Sequence, residues 1–242
     1  MYMRTPRSPL AALLLAALVS LGCDTASGSP MDREDAALEA ATTTASAAAS
    51  AAASDTAREA LLRRADLGRI NGSPASLVWL VVISDFQCPY CKVWHDETAP
   101  LIERDYVKTG KIRVAYLNLP ISSHRNAWPA HESAMCAAEQ GKFFPVADAI
   151  FATQGDWKTR LDAPAYFDSL TRTLPVDHAR LRACVADGQL RPLIRADYDR
   201  SSRIGIGSTP TFLIGSKVLI GAQPYEAFRR ALDDALTAAG AR

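Results

Sequence analysis

An apolar segment followed closely by two cysteines constrains this chain more than any other stretch. Residues 76–84, SLVWLVVIS, are almost continuously apolar and rich in β-branched residues, the pattern of a central strand buried on both faces. The motif CPYC follows, with Cys88 and Cys91, and the residues after it are helical in composition. The cysteines are therefore predicted to lie where a buried strand passes into a helix.

Spacing alone leaves three uses for this cysteine pair. A zinc site needs four ligands, and the remaining candidates, Cys136 and Cys184, are single residues far apart, so no metal is predicted. A structural bridge would close so small a loop that it would constrain the unfolded chain little. A redox pair fits best, because the unpaired N–H groups and dipole at a helix start favour a thiolate. Cys88 is then the exposed nucleophile with a lowered pKa, Cys91 resolves it, and Pro89 occupies the first helical turn.

The order of predicted elements defines an α/β fold: β-α-β, then about eighty mostly helical residues, then β-β-α. The first helix, CKVWHDETAPLIERDYVKTG, is predicted to kink at Pro100 and end near Gly110, before the strand KIRVAYLNLP. The strands TPTFLIG and KVLIG flank a tight turn at Gly215 and Ser216, and an amphipathic helix follows over residues 224–238.

The N-terminal residues 1–22 have the layout of a secretory signal peptide, with a short basic segment and then an uncharged apolar core. Cys23 follows at once, and VSLGC resembles a bacterial lipobox, which predicts a lipid anchor on Cys23; ordinary cleavage near Gly22 or later is the alternative. Either outcome exports the chain to a compartment where disulfides persist. With a formal net charge of +1, nothing in the sequence recruits nucleic acid.

Residues 23–71 are predicted to be a tether that ends in a short helix. The stretch from residue 25 to 54 is Ala, Ser and Thr with few large apolar residues, so it cannot bury enough surface to fold by itself. The following DTAREALLRRADL favours a helix capped by Asp55. The folded domain is then expected over residues 72–242, with a helical insertion at about 122–203.

Four segments, in order and spacing, resemble the DsbA-like thiol:disulfide oxidoreductases of the thioredoxin superfamily: SDFQCPYCKVWHDET, KTGKIRVAYLNLPISSH, AMCAAEQGKFFPVADAIF and GIGSTPTFLIG. The resemblance implies a thioredoxin fold with an inserted helical domain. It implies that Cys88 is the nucleophile and Cys91 the resolving cysteine, and that Pro210 is a cis-proline. The backbone of Thr209 would pair with the substrate chain.

The same resemblance raises three further expectations. Cys136 and Cys184 resemble extra cysteines that some relatives use to staple the helical insertion, which predicts a structural disulfide; two free buried thiols and a second redox relay are the alternatives. Many relatives carry a buried acid on the central strand where this chain has Val82, so Asp85 is a candidate for the proton-transfer group. An exposed acid that only caps the turn is equally compatible with Asp85, and Tyr90 is expected to influence substrate fit and potential.

The resulting hypothesis is an exported enzyme without a cofactor that oxidises substrate protein thiols through a Cys88–Cys91 disulfide. A membrane redox partner would reoxidise it, and the protein is expected to be monomeric. A membrane-tethered reductase or isomerase running in reverse and a non-catalytic thioredoxin-fold binding module remain the alternatives. His124 and His131, which are seven residues apart, lack a third nearby ligand and are not predicted to bind a metal.

Overall fold

The computed structural model describes the backbone of residues 30–240 and the side chains of residues 42–240. The chain divides into two units, Met1–Ala51 and Ala52–Arg242. The described part of the first unit is helical, and the second unit contains the sheet and the remaining helices. The predicted signal peptide and the lipidation site at Cys23 lie outside the described residues.

Helix α1 (Pro30–Gly68) begins much earlier than predicted. It runs through the low-complexity residues, whose many alanines have the highest helix propensity, and the side chains of residues 42–60 are exposed. Asp55 therefore lies inside the helix, and the prediction that it caps the helix is wrong. At the other end, a Cβ on Gly68 would lie 1.9 Å from the carbonyl oxygen of Ala138, so only glycine allows this close approach.

A five-stranded mixed sheet forms the centre of the second unit, in the order β1-β3-β2-β4-β5. The strands are β1 (Ile70–Gly72), β2 (Val78–Ser84), β3 (Ile112–Asn118), β4 (Thr211–Ile214) and β5 (Lys217–Ile220). β2 pairs in parallel with β3 and antiparallel with β4, which confirms its predicted central position. The short edge strand β1, antiparallel to β3, was not predicted from the sequence.

Two groups of helices accompany the sheet. Between β2 and β3 lie α2 (Pro89–Glu97), α3 (Ala99–Ile102) and a π-helical turn (Glu103–Val107). Between β3 and β4 lie α4 (Ala127–Ala138), α5 (Phe143–Ala152), α6 (Gln154–Trp157), α7 (Ala163–Thr171), α8 (His178–Ala186) and α9 (Arg191–Arg203), and α10 (Tyr225–Ala238) follows β5. The predicted interruption near Pro100 occurs at Thr98, where α2 ends and α3 begins.

Aromatic side chains pack the helices against the sheet. Trp94 of α2 and Phe228 of α10 both contact Phe212 of β4, with ring centroids 4.8 and 4.7 Å apart, so α2 and α10 cover the same face. Phe86, just after β2, is fully buried and contacts Phe151 of α5 at 4.9 Å. These contacts fix the end of β2, and with it the start of α2, against the inserted helices.

A disulfide joins two of the inserted helices. Cys136 of α4 and Cys184 of α8 are bonded, as the resemblance implied. Both half-cystines are buried, and α4 is buried along almost its whole length. The bridge therefore joins the central helix of the insertion to a more peripheral one.

Candidate active site

Cys88 is the N-cap residue of α2, and Pro89 follows it in the first turn, as predicted. The Cys88 N–H donates to the carbonyl oxygen of Asp85 at 3.1 Å, which closes the turn between β2 and the helix. Both motif cysteines are present as free thiols. Cys88 was predicted to be exposed, but only 5% of its surface is accessible, because the turn and the segment before β4 cover it.

The surroundings of Cys88 favour its thiolate. A hydrogen bond from the Cys91 side chain is the largest cause that lowers the pKa of Cys88 from 9.0 to about 6. Burial opposes this shift, while the Thr209 side chain and the N–H groups of Cys91 and Tyr90 add to it. The two N–H groups lie in the first turn of α2, where N–H groups lack helical partners. Cys88 is therefore largely ionised at pH 7.

Cys91 has the opposite character. It is fully buried, and burial raises the pKa of its thiol well above 9.0, with the neighbouring Cys88 adding to the shift. The Asp85 N–H donates to the Cys91 sulfur at 3.5 Å. One sulfur is thus a stabilised thiolate and the other a buried thiol, the asymmetry expected of a nucleophile and a resolving cysteine.

Thr209 and Pro210 face the cysteine pair from the start of β4, 121 residues further along the chain than Cys88. The Thr209–Pro210 peptide bond is cis, as the resemblance implied. The Cys88 sulfur lies 3.4 Å from the Thr209 carbonyl oxygen, to which its protonated form donates a hydrogen bond. This carbonyl oxygen and the Cys88 sulfur are therefore neighbours although they lie far apart in the sequence. Tyr90, between the cysteines, is 65% exposed at the same turn.

Asp85 is not the exposed strand-end acid that one of the two hypotheses described, because it is fully buried. Its carboxylate caps the turn by accepting from the Gln87 N–H at 2.7 Å, and it also accepts from the Ile121 N–H at 2.8 Å. The Nδ1 atom of His124 lies 2.7 Å from the same carboxylate. Asp85 therefore ties the redox turn to the loop between β3 and α4.

Two glutamines form hydrogen bonds that join the redox turn to other elements, which sequence patterns did not reveal. Gln154 of α6 is buried and donates to the carbonyl oxygens of Phe86 at 2.7 Å and Cys88 at 3.1 Å. Gln87 accepts from the Asn126 N–H at 2.7 Å through its side chain. Each partner lies at least 39 residues away in the chain, so no local pattern could have indicated these contacts.

Val82, at the position where the resemblance implied that many relatives have a buried acid, is an ordinary core residue that is 1% exposed. It pairs with Tyr116 of β3, and both line a cavity of about 400 Å³ that also borders Trp94. Burial raises the pKa of Tyr116 well above 10.0, and nearby Cys91 adds to the shift. Neither Val82 nor Tyr116 supplies a charge at neutral pH, so Asp85 is the acid in direct contact with the redox turn.

The described residues contain no group of three or more His, Cys, Asp or Glu side chains arranged to hold a metal ion. Within the same part of the chain, no helix combines the length and apolar character needed to cross a membrane.

Comparison with known proteins identifies the family. The family model described as thioredoxin matches residues 64–234. This chain belongs to the thioredoxin family. Two solved structures share its fold. Oxidised BdbD from Bacillus subtilis has a TM-score of 0.63 and 20% identity, over 70% of this chain and 92% of that one. Wolbachia pipientis alpha-DsbA1 has a TM-score of 0.63 and 18% identity, over 71% and 92%. The predicted DsbA-like form of the thioredoxin fold is thereby confirmed.

Two kinds of relative are similar in sequence to this thioredoxin-family chain. The Na(+)/H(+) antiporter NhaA 3 of Salinispora tropica is 29% identical over 178 residues, which are 73% of this chain but 26% of the antiporter. The probable disulfide bond formation protein D of Bacillus anthracis is 22% identical over 169 residues, covering 68% of this chain and 76% of that protein. The chain thus spans about a quarter of the length of the antiporters it matches.

Proposed function

We propose that this protein is an exported thiol:disulfide oxidoreductase that oxidises pairs of thiols in substrate proteins. The observation that carries the proposal is the asymmetry of the CPYC pair, in which Cys88 is a stabilised thiolate and Cys91 a buried thiol. A stabilised thiolate favours the reduced enzyme, and a pair whose reduced form is favoured is an oxidant. The relatives named disulfide bond formation protein D support the same assignment.

The chemistry needs only the two sulfurs. A substrate thiolate attacks the Cys88 sulfur of the oxidised enzyme, the Cys88–Cys91 bond breaks, and its electron pair leaves on Cys91, which takes up a proton because its pKa is high. A second substrate thiolate then attacks the substrate sulfur of this mixed disulfide, and the electron pair leaves on Cys88, which stays ionised. Two electrons pass to the enzyme, and of the two protons lost by the substrate one ends on Cys91 and the other is released to solvent.

The proposed function also includes a substrate-binding position, a route for reoxidation and a location in the cell envelope. The substrate chain is bound beside Thr209 and the cis-Pro210. The carbonyl oxygen of Thr209 already contacts the Cys88 sulfur. A membrane redox partner removes the two electrons, and no cofactor is needed. Residues 1–22 serve as the signal peptide, Cys23 carries the lipid anchor, and the domain over residues 72–242 is monomeric.

A stoichiometric oxidation assay tests the proposal. The oxidised protein is mixed with a reduced, unfolded protein that contains two cysteines, and the loss of free thiols is measured. One substrate disulfide is expected per Cys88–Cys91 pair. The Cys88→Ser and Cys91→Ser variants cannot form the motif disulfide and are expected to be inactive. No oxidation by the wild-type protein would contradict the proposal and favour a binding module. Undiminished oxidation by Cys88→Ser would show that Cys88 is not the reacting sulfur.

A further inference from the structure

The side-chain amide of Gln154 holds the redox turn from the side of the inserted helices. Gln154 is the first residue of α6, and 3% of its surface is exposed. Its Nε2 atom donates to the carbonyl oxygen of Phe86 at 2.7 Å and to that of Cys88 at 3.1 Å. A side-chain amide has two N–H donors, one for each of these oxygens. A single buried group thus contacts the backbone at two points of the turn, one of them the nucleophile itself.

The Cys88 carbonyl oxygen sets the orientation of the peptide between Cys88 and Pro89. Proline has no N–H, so hydrogen bonds can hold this peptide only through its oxygen. That oxygen accepts from the Lys92 N–H at 3.2 Å and from Gln154. Pro89 favours an extended Cys88 but leaves ψ a range of about +120° to +160°, within which the observed ψ is 124°. Gln154 therefore helps to select one orientation from the range that the proline permits.

The ψ angle of Cys88 determines where its sulfur lies relative to the first turn of α2. The backbone N–H groups of Tyr90 and Cys91 both donate to this sulfur and lower the pKa of Cys88. Hydrogen bonds weaken steeply as they depart from linear geometry. Rotation about ψ turns the helix relative to the Cys88 side chain, so it changes the length and angle of both bonds. The orientation that Gln154 holds is the one in which these donors reach the sulfur.

Packing and a second set of amide contacts anchor Gln154 itself. Trp157, at the end of α6, is fully buried and donates from Nε1 to the Ile150 carbonyl oxygen at 2.8 Å. The Asn126 side chain donates to the carbonyl oxygens of Trp157 and Arg160, both at 2.9 Å. These contacts fix α6 within the insertion, so Gln154 holds the redox turn against a rigid support.

We propose that Gln154 is a positioning residue for the redox reaction, whose amide fixes the Phe86 and Cys88 carbonyls so that the Cys88 sulfur stays beside the first-turn N–H groups of α2. The proposal rests on the redox role of Cys88 proposed above. Loss of the amide removes one donor from each carbonyl oxygen, and the turn shifts to recover hydrogen bonds. The thiolate then loses part of its stabilisation, so the reduced form is less favoured and the protein is a weaker oxidant.

Two substitutions at Gln154 and one control separate positioning from support of the fold. Gln154→Met keeps the length of the side chain and removes both N–H donors, whereas Gln154→Asn keeps the amide on a side chain one methylene shorter. The matched control is Gln140→Met, because the Gln140 amide also bonds backbone groups, the N–H of Asp177 at 2.8 Å and its carbonyl oxygen at 3.2 Å. Three quantities are measured for each protein: the pKa of Cys88 from alkylation rates, the equilibrium constant for reduction of the motif by glutathione at pH 7, and the free energy of unfolding.

The expected results differ between the variants. Gln154→Met raises the pKa of Cys88 by about half a unit to one unit, part of what hydrogen bonds to an ionised group contribute. From a wild-type pKa of about 6, the alkylation rate at pH 6 then falls roughly two- to fivefold, and the glutathione constant at pH 7 falls by about the same factor. Gln154→Asn shifts both quantities in the same direction, while Gln140→Met leaves both at wild-type values. If Gln154→Met fails to fold, Gln154→Asn decides.

A folded Gln154 variant with the wild-type pKa of Cys88 and the wild-type glutathione constant would overturn the inference and leave the proposed function standing. A lowered free energy of unfolding in that variant would show that Gln154 supports only the fold. An equal shift of the Cys88 pKa in Gln140→Met would also overturn the inference. If the wild-type protein does not exchange with glutathione at all, the proposed function fails, and the pKa of Cys88 in the variants still decides whether Gln154 positions the sulfur.

Discussion

The sharpest prediction concerns the hydrogen bond between the two motif thiols. The hydrogen bond from the Cys91 side chain is the largest of the causes that lower the pKa of Cys88 from 9.0 to about 6. This depression of about 3 units corresponds to at most about 4 kcal/mol, and solvent near the sulfur reduces that figure. A hydrogen bond to a charged group contributes about 1.5–3 kcal/mol, so Cys91→Ala should raise the pKa of Cys88 by about 1–2 units.

Alkylation of Cys88 across a pH series measures this shift, with mass spectrometry of the Cys88 peptide as the readout. Because only the thiolate reacts, the wild-type rate should fall as pH drops through about 6. In Cys91→Ala the same fall should occur at higher pH, so the thiolate fraction, and with it the rate at pH 6, should be roughly five- to fiftyfold lower. Cys91→Ser is the matched control, because its hydroxyl donates to the same sulfur and should keep most of the wild-type reactivity. A wild-type pKa near 9, or an unchanged pKa in Cys91→Ala, would refute the reasoning.

Three further predictions test other contacts. Thr209→Val keeps the side-chain shape but removes a hydroxyl that lowers the pKa of Cys88. The pKa of Cys88 should therefore rise by less than it does in Cys91→Ala. An equal or larger rise in the same alkylation series would show that the Thr209 hydrogen bond is not the weaker of the two. Cys136→Ser opens a disulfide that spans 48 residues and should lower the free energy of unfolding by about 4 kcal/mol in urea titrations, an effect that added reductant should abolish. Arg69→Leu leaves the buried Asp197 without its cation and should cost about 3–5 kcal/mol in the same assay, whereas a cost below about 1 kcal/mol would show that Asp197 is otherwise neutralised.

The features that sequence predicted correctly depend on local patterns. β2 is a β-branched apolar run, and the start of α2 is marked by a proline directly after Cys88, so both could be placed without tertiary information. β1 was missed because its three residues, ING, show no alternation and form a strand only through pairing with β3. The order of the remaining strands was predicted because each has its own apolar pattern.

The site was only partly predictable, because local sequence patterns do not show which distant residues come into contact. The sequence identified Cys88 and Cys91 from their spacing, but their electrostatics depend on contacts between distant residues. His124 lies 39 residues from Asp85 and reaches it only because the loop after β3 passes beside the redox turn. Asp85 itself was a candidate, but its complete burial follows from the packing of α4 and that loop and could not be deduced from its position after a strand.

The reduction potential of the Cys88–Cys91 pair tests the central claim most directly. The purified protein is equilibrated with mixtures of reduced and oxidised glutathione at pH 7, and the fraction of reduced motif is measured by alkylation and mass spectrometry. The stabilised Cys88 thiolate predicts a strongly oxidising couple with a potential near about −120 mV. A potential near about −270 mV would contradict the account, because it would make the protein a reductase.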